Sequence, residues 1–285
     1  IKEYQDFPVD GINFLDLNPI YKEPLLRRKL VKDCISCLET SITTDFDYIA
    51  PALARLGYRV IAIDLPGRGN STYFDDPLRY NYDQYLNDIY TLLHDLEIQH
   101  IDWLGISLGG LLAIRAASER PALIRRLIIN DVGPEVPKHA LDFIYNVIKV
   151  PYFFETVGEL EARMRATRGL TWGPLSNDQW THMAKCNARR TDDGRITYSY
   201  DPEIARIFET EPTGSSDLWP CWNTITQPTL ILHGGKSVLL TQDIIKKMRQ
   251  SGPKFDLITF DDCGHVPSLM TKEHISAISR WMGQA

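Results

Sequence analysis

The sequence predicts an α/β fold: a mostly parallel central sheet, helices on both of its faces, and a helical cap insertion. Three observations point there. Short apolar runs alternate with helix-patterned stretches through the first part of the chain, the rhythm of a parallel sheet covered on both sides. That rhythm breaks after Pro134 and resumes at Thr229. Between an apolar run and a small-residue stretch stands Gly105-Ile-Ser-Leu-Gly109, a strand-to-helix junction.

The elements follow in order. Residues 1–24 hold short extended stretches, with Asp10-Gly11 as a hairpin turn before Ile12 to Leu17. Leu25 to Leu38 carries the charge run Arg27-Arg28-Lys29 and then a poor strand through Cys34-Ile35. Asp45 opens a helix with Phe46, Ile49, Leu53 and Leu56 on one face, and Gly57 ends it. Arg59 to Asp64 reads as a parallel strand that runs into Leu65-Pro-Gly-Arg-Gly-Asn-Ser71, a loop requiring unusual backbone angles. Asn81 caps a helix reaching about Leu96, with Gln84 in the capping-box position. Ile98 to Leu104 is a buried strand, and Gly109 to Ala117 a buried helix stopped before Pro121. Leu123 to Asn130 is the next strand, closed by Asp131-Val-Gly-Pro134.

Residues 134–225 then read as the cap. They hold helical patterns, a Ser176-x-x-Gln179 capping box, a hairpin-like Asp192-Asp-Gly-Arg195 and four of the six tryptophans. Residues 1–133 and 226–285 form the core. In the second piece, Thr229 to Leu232 and Phe255 to Phe260 are strands, and Thr241 to Gln250 and Lys272 to Met282 are helices.

Composition narrows the function. A net charge of -6 argues against nucleic acid or an anionic membrane surface as the main partner. The longest apolar stretch, Trp103 to Ile114, is too short to span a bilayer, and no signal-like segment lies near Ile1. Five scattered cysteines fit a reduced, cytoplasmic protein. Cys34 and Cys37 form a CxxC, read as two partly buried thiols, because a zinc site would need a second pair and a redox motif a helix start. His94, His100 and His274 fall on expected surfaces. His139 and His182 belong to the cap without a patterned carboxylate, so no metal site is expected. The expected partner is a small-molecule substrate, with no cofactor.

The chemistry is concentrated at residue 107. A sharp turn from strand to helix lifts Ser107 out of the sheet with its hydroxyl exposed. Glycines at 105 and 109 are expected because a side chain there would strike the neighbouring strand or helix. The amide of Leu108, at the helix start, can face a developing oxyanion.

Three ordered motifs make the chain resemble the α/β-hydrolase family: Gly57-Tyr-Arg-Val-Ile-Ala-Ile-Asp-Leu-Pro-Gly-Arg-Gly-Asn-Ser71, Gly105-Ile-Ser-Leu-Gly109, and Gly264-His265 after the last strand. The resemblance implies Ser107 as nucleophile and His265 as base in acyl transfer. It leaves the substrate open, because this fold hosts many chemistries. A serine hydrolase acting on a small, largely apolar ester is expected. The alternatives are a carbon–carbon bond hydrolase with the same nucleophile and a non-catalytic binding or signalling relative. Trp172, Trp180, Phe153 and Phe154 are candidate pocket walls, or else packing within the cap.

Two departures stand out. Family members usually carry His-Gly near the place where Cys37-Leu38-Glu39 stands, and Leu38 or Glu39 is left to offer the second oxyanion N–H. His233-Gly234-Gly235 is in the wrong topological place to substitute. The acid usually follows as Gly-x-Ser-Asp, yet here Gly235-Lys-Ser-Val238 puts valine in the carboxylate slot. Asp131, at a strand end, is the substitute to test, with an ordinary turn aspartate as the bland alternative. Asp243 lies too far along its helix, and Asp261 and Asp262 read as solvated turn residues.

Overall fold

The computed structural model describes residues 3–4, 14–15, 46–169, 171–210 and 217–283. At the N-terminal end, β1 (Glu3–Tyr4) pairs antiparallel with β2 (Phe14–Leu15). The helix α1 (Ile49–Arg55) ends at Gly57, whose φ of 89° lies in the left-handed region that favours glycine. The helix α2 (Tyr82–Asp95) is capped by Asn81, whose side chain accepts from the Gln84 amide. Only half of the expected box forms, because the Gln84 side chain turns to Asp88 and Arg79 instead.

The central sheet follows. Strand β3 (Ile101–Ile106) leads into α3 (Leu108–Glu119), and β4 (Ile124–Asn130) lies beside β3. After residue 228 come β7 (Thr229–Gly234), α9 (Gln242–Met248), β8 (Phe255–Phe260) and α10 (Lys272–Gly283). The four strands pair in parallel in the order β3-β4-β7-β8.

Alternation along β4 and β7 explains the layers. Leu127, Ile129 and Ile231 face a core shared with α2, α3 and α9. Ile128, Leu230 and Leu232 face the opposite core, with α1 and α10. Burial on both faces is why these strands read as continuous apolar runs rather than as alternating ones.

Between β4 and β7 lie α4 (Lys138–Ile148), α5 (Val157–Arg168), α6 (Asn177–Cys186), the hairpin β5 (Ala188–Arg190) and β6 (Ile196–Tyr198), α7 (Ile207–Thr210) and α8 (Trp219–Trp222). The Ser176–Gln179 capping box is complete, and the hairpin turn places Gly194 at φ 88°. Leu160, Met164, Trp180, Met183, Ile196 and Tyr198 build a third core here, closed from the other side by Met270. Among the described residues no helix is long and apolar enough to cross a membrane.

Several expectations are corrected. Arg59 to Asp64 lies in no strand among the described residues and is half-buried rather than sealed. Leu56 is exposed, because the helix stops at Arg55 and the chain turns before that position reaches the core face. The elbow strand β3, expected to be buried, is mostly half-buried, with Gly105 alone sealed, whereas β7, between β4 and β8, is buried throughout. His274 is buried rather than on a surface, its ring edge-on to Phe260, because α10 packs that face against β8. The Asp10-Gly11 turn, the stretch 25–44 with its CxxC, Leu38 and Glu39, and Asp45 lie outside the described residues.

Candidate active site

Ser107 occupies the single residue between β3 and α3, with φ 48° and ψ −111°. This is a costly conformation for a residue with a side chain, and it persists only where the surroundings enforce it. Three contacts do so. The Ser107 amide donates to the Asn130 carbonyl at 3.1 Å, and its own carbonyl accepts from the amides of Gly110 and Leu111 at 2.9 and 3.1 Å. Beneath the turn, a Cβ on Gly105 would fall on the Gly109 carbonyl, nearer than real Cβ atoms approach. Gly110 is similarly confined by Val132 and Ile129. The expectation for Gly109 is corrected: a Cβ there would meet nothing within 4 Å, because that position faces away from the strand–helix crossing. Leu108 is the first residue of α3, so its N–H has no intrahelical acceptor and sits at the positive end of the helix dipole.

His265 and Asp131 converge on this serine from distant parts of the chain. His265 Nε2 is 3.1 Å from Ser107 Oγ, and Nδ1 is 2.8 Å from Asp131 Oδ2. Nδ1 also lies 3.1 Å from the Asp131 carbonyl oxygen. Both neighbours of Nδ1 are acceptors, so the proton belongs on Nδ1 and Nε2 is bare toward the serine hydroxyl.

Asp131 is fully buried and adopts φ 56°, a region that aspartate tolerates better than most residues. Its amide donates to the Leu232 carbonyl at 2.8 Å, which ties the turn to β7. Buried carboxylates need donors, and Asp131 has them. The Gly234 amide donates to Oδ1 at 2.8 Å, and the Ser237 hydroxyl donates to Oδ2 at 2.6 Å. Ser237 Oγ in turn accepts from the Leu239 and Leu240 amides, each at 3.2 Å, so its one proton is committed to Asp131.

The carboxylate beside His265 Nδ1 is thus Asp131, and the loop holding Val238 contributes the Ser237 hydroxyl to it. Val238 is 59% exposed and plays no part. Its neighbour Ser237 is the residue of that loop that matters, and sequence reasoning missed it. Gly234 was also missed: a Cβ there would strike the Gly264 carbonyl, so glycine lets the histidine loop cross close over the end of β7. Asn130 was a third omission. Its side-chain amide donates to the Pro267 carbonyl at 2.9 Å and tethers the loop just after His265 to β4. Asp243 pairs with Lys246 on the surface, and Asp261 and Asp262 are exposed. His233 is buried within β7, with Nδ1 3.2 Å from Thr259 Oγ1.

The aromatic candidates separate. Trp172 stacks on Trp180 with ring centroids 5.7 Å apart, both in the third core. Its flanks reach the histidine loop: the Gly264 amide donates to the Thr171 carbonyl at 2.8 Å, and Gly173 lies against Cys263. Phe154 packs edge-on to Tyr198 in the same core. Phe153 is 46% exposed under the Arg195 guanidinium, so its ring is taken up by the hairpin. His182 does have a carboxylate partner, which corrects the sequence reading. Asp47 reaches it from a distant segment, and spacing within residues 134–225 could not reveal that.

Comparison with known proteins follows the same lines. A family model described as alpha/beta hydrolase fold matches residues 40–269. The 3-hydroxybutyrate-oligomer hydrolase of Cupriavidus necator is 30% identical over 240 residues, covering 81% of this chain and 81% of that protein. The 2-(acetamidomethylene)succinate hydrolase of Mesorhizobium japonicum is 24% identical over 233 residues, again with 81% of each covered. Among solved structures, an alpha/beta hydrolase from Novosphingobium aromaticivorans superposes with a TM-score of 0.76 at 34% identity, covering 85% of both chains.

Proposed function

The chain belongs to the α/β-hydrolase fold family and is a hydrolase, and from that premise we propose that it is a serine hydrolase cleaving a small, largely apolar ester. One observation carries the reading: the imidazole of His265 is held by Asp131 on one nitrogen and faces the Ser107 hydroxyl with the other. In this reading Ser107 Oγ attacks the ester carbonyl as its proton passes to Nε2. The Leu108 amide receives the oxyanion. The imidazolium, stabilised by Asp131, then protonates the departing alkoxide and leaves an acyl-enzyme. Water then attacks the acyl-enzyme as its proton passes to Nε2, and the imidazolium gives that proton to Ser107 Oγ as the acid departs.

The relative named for hydrolysing 3-hydroxybutyrate oligomers, whose units are joined by ester bonds, supports an ester of a short hydroxy acid as substrate. A non-catalytic role is disfavoured, because a binding protein has no need of a strained serine and a buried, fully bonded carboxylate. Odd, scattered cysteines support a cytoplasmic setting.

The experiment is direct. A serine-directed fluorophosphonate should add one label per chain at pH 8, and Ser107→Ala should abolish it. An unlabelled native protein after hours would overturn the enzyme reading.

Ser237 enters as a positioning residue. A hydrogen bond to a carboxylate contributes about 1.5–3 kcal/mol. Ser237→Ala should therefore lower kcat about ten- to hundredfold with little change in KM. Ser237→Thr, which keeps the hydroxyl, should restore most of it. Equal rates for the alanine and threonine variants would remove Ser237 from this role.

Residues 134–225 are proposed as a cap over the site, with Trp172 at its inner edge. Support comes from their own apolar core and from the docking of Thr171 on Gly264. Limited proteolysis should cut first at Thr191 to Gly194, an exposed hairpin tip. First cuts within Ile101 to Ala117 would contradict this layout.

A further inference from the structure

The molecule has a second cluster of chemically capable side chains away from Ser107. We propose that Asp47, His182 and Cys186 form a binding site for a transition-metal dication of the zinc class, bridging the turn before α1 and the helix α6. The three residues can bring their ligand atoms within 4.8 Å of one another. His182 Nε2 is the point of convergence, 2.8 Å from Asp47 Oδ2 and 3.8 Å from Cys186 Sγ. Zinc bonds of about 2.0–2.3 Å in a tetrahedron hold ligand atoms roughly 3.3–3.8 Å apart. The sulfur stands 3.8 Å from Nε2 and 4.0 Å from Nδ1, over the ring, so a rotation of the thiol has to bring it to the Nε2 lone pair, and the oxygen has to withdraw by about half an ångström.

Local structure prepares the site. His182 and Cys186 are four residues apart on α6, so they share one face, and the complete Ser176–Gln179 box fixes the helix start. The Tyr48 ring meets the imidazole edge-on at 5.5 Å and limits its rotation. Cys186 is buried, whereas the side chains of Asp47 and His182 keep 21% and 23% exposure, leaving a route for an ion and for a completing water. A metal ion would send the Cys186 thiol proton, and any proton on the coordinating His182 nitrogen, to solvent, leaving a thiolate, an imidazole and a carboxylate.

Donor chemistry selects the ion. One thiolate with one imidazole favours zinc-like metals over magnesium or calcium, which prefer oxygen ligands alone. A second cluster, Asp262, Cys263 and His274, lacks these properties. Its cysteine and histidine are sealed from solvent, and burial pushes the Cys263 thiol up to about 12.

The test is a calorimetric titration of the full chain with zinc chloride, carried in a Cys34→Ser, Cys37→Ser background so that the CxxC pair does not compete. One zinc per chain is expected, and cobalt chloride should give a thiolate-to-cobalt charge-transfer band. Cys186→Ser should remove the band. Cys186→Ser or His182→Gln should weaken zinc by more than about a hundredfold, beyond what outer partners contribute. Ser107→Ala and His265→Ala should bind zinc unchanged, which separates this site from the proposed active site. Absence of zinc binding, or binding that survives both cluster variants, overturns the proposal. A readout independent of variant folding is alkylation: saturating zinc should protect the Cys186 peptide from iodoacetamide, and an unprotected Cys186 with zinc bound would equally overturn it.

Discussion

Asp131→Asn is expected to lower kcat on an activated acetate ester by about 10⁴-fold while the protein remains folded, the size of the loss that the same change causes in a serine protease of unrelated fold. The expectation follows from hydrogen-bond direction. Asparagine keeps the size of the side chain and one acceptor, but its amide can present a donor where His265 Nδ1 also donates. The imidazole is then stabilised in the wrong tautomer, with its proton on Nε2 and pointed at Ser107. The imidazolium formed during reaction also loses its counter-charge. Gly234 and Ser237 compound the effect, because both donate to the Asp131 carboxylate, so an NH₂ group in place of either oxygen faces a donor. Val238→Asp should not rescue the variant, since that position is exposed and outside the cluster. A nearly unchanged rate in Asp131→Asn, or rescue by Val238→Asp, would show that the acid lies elsewhere.

Gly105→Ala and Gly109→Ala should move stability in opposite directions although both belong to one five-residue motif. A methyl group at 105 falls on the Gly109 carbonyl and beside the Gly110 amide, which are backbone atoms fixed by β3 and α3. Neither can rotate away, so the helix start must shift. Overpacking of this kind costs about 1–3 kcal/mol and occasionally more. The same shift moves Leu108 and Ser107, so activity should fall further than stability does. At 109 a methyl group meets nothing within 4 Å, and the residue lies in α3 with ordinary helical φ. Alanine there removes freedom from the unfolded chain and should stabilise by about 0.4–1 kcal/mol. Urea midpoints of the two variants give the comparison. Equal destabilisation would mean that the elbow demands glycine at both positions.

Much of the architecture was legible in the sequence because it depends on local patterns. Strand β7 appears as an apolar run since both of its faces are covered. The caps at Asn81 and Ser176 appear because a short polar side chain must answer a free helix amide. Ser107 and His265 were legible for a related reason. Each stands beside glycine at a backbone crossing, and glycines that permit close approach leave a mark in the linear text. Arg59 to Asp64, an apolar run outside the described strands, differs from them because hydrophobic sequence alone does not fix ladder pairing.

The sequence by itself determined the fold class, the strained serine and the histidine, since each rests on residues adjacent in the chain. Only the tertiary structure brought Asp131 to His265 and gave its carboxylate donors. Asp131, Ser237 and His265 are separated by long stretches, and the Asp131 carboxylate gains its meaning from a hydroxyl 106 residues away and a ring 134 residues away. A turn aspartate and a buried catalytic carboxylate have the same letter and similar neighbours. What distinguishes them is desolvation together with converging donors, and these exist only once β4, β7 and the histidine loop are packed together. The pairing of Asp47 with His182 and Cys186 belongs to the same class, because one helix turn supplies two of the groups and a distant segment supplies the third.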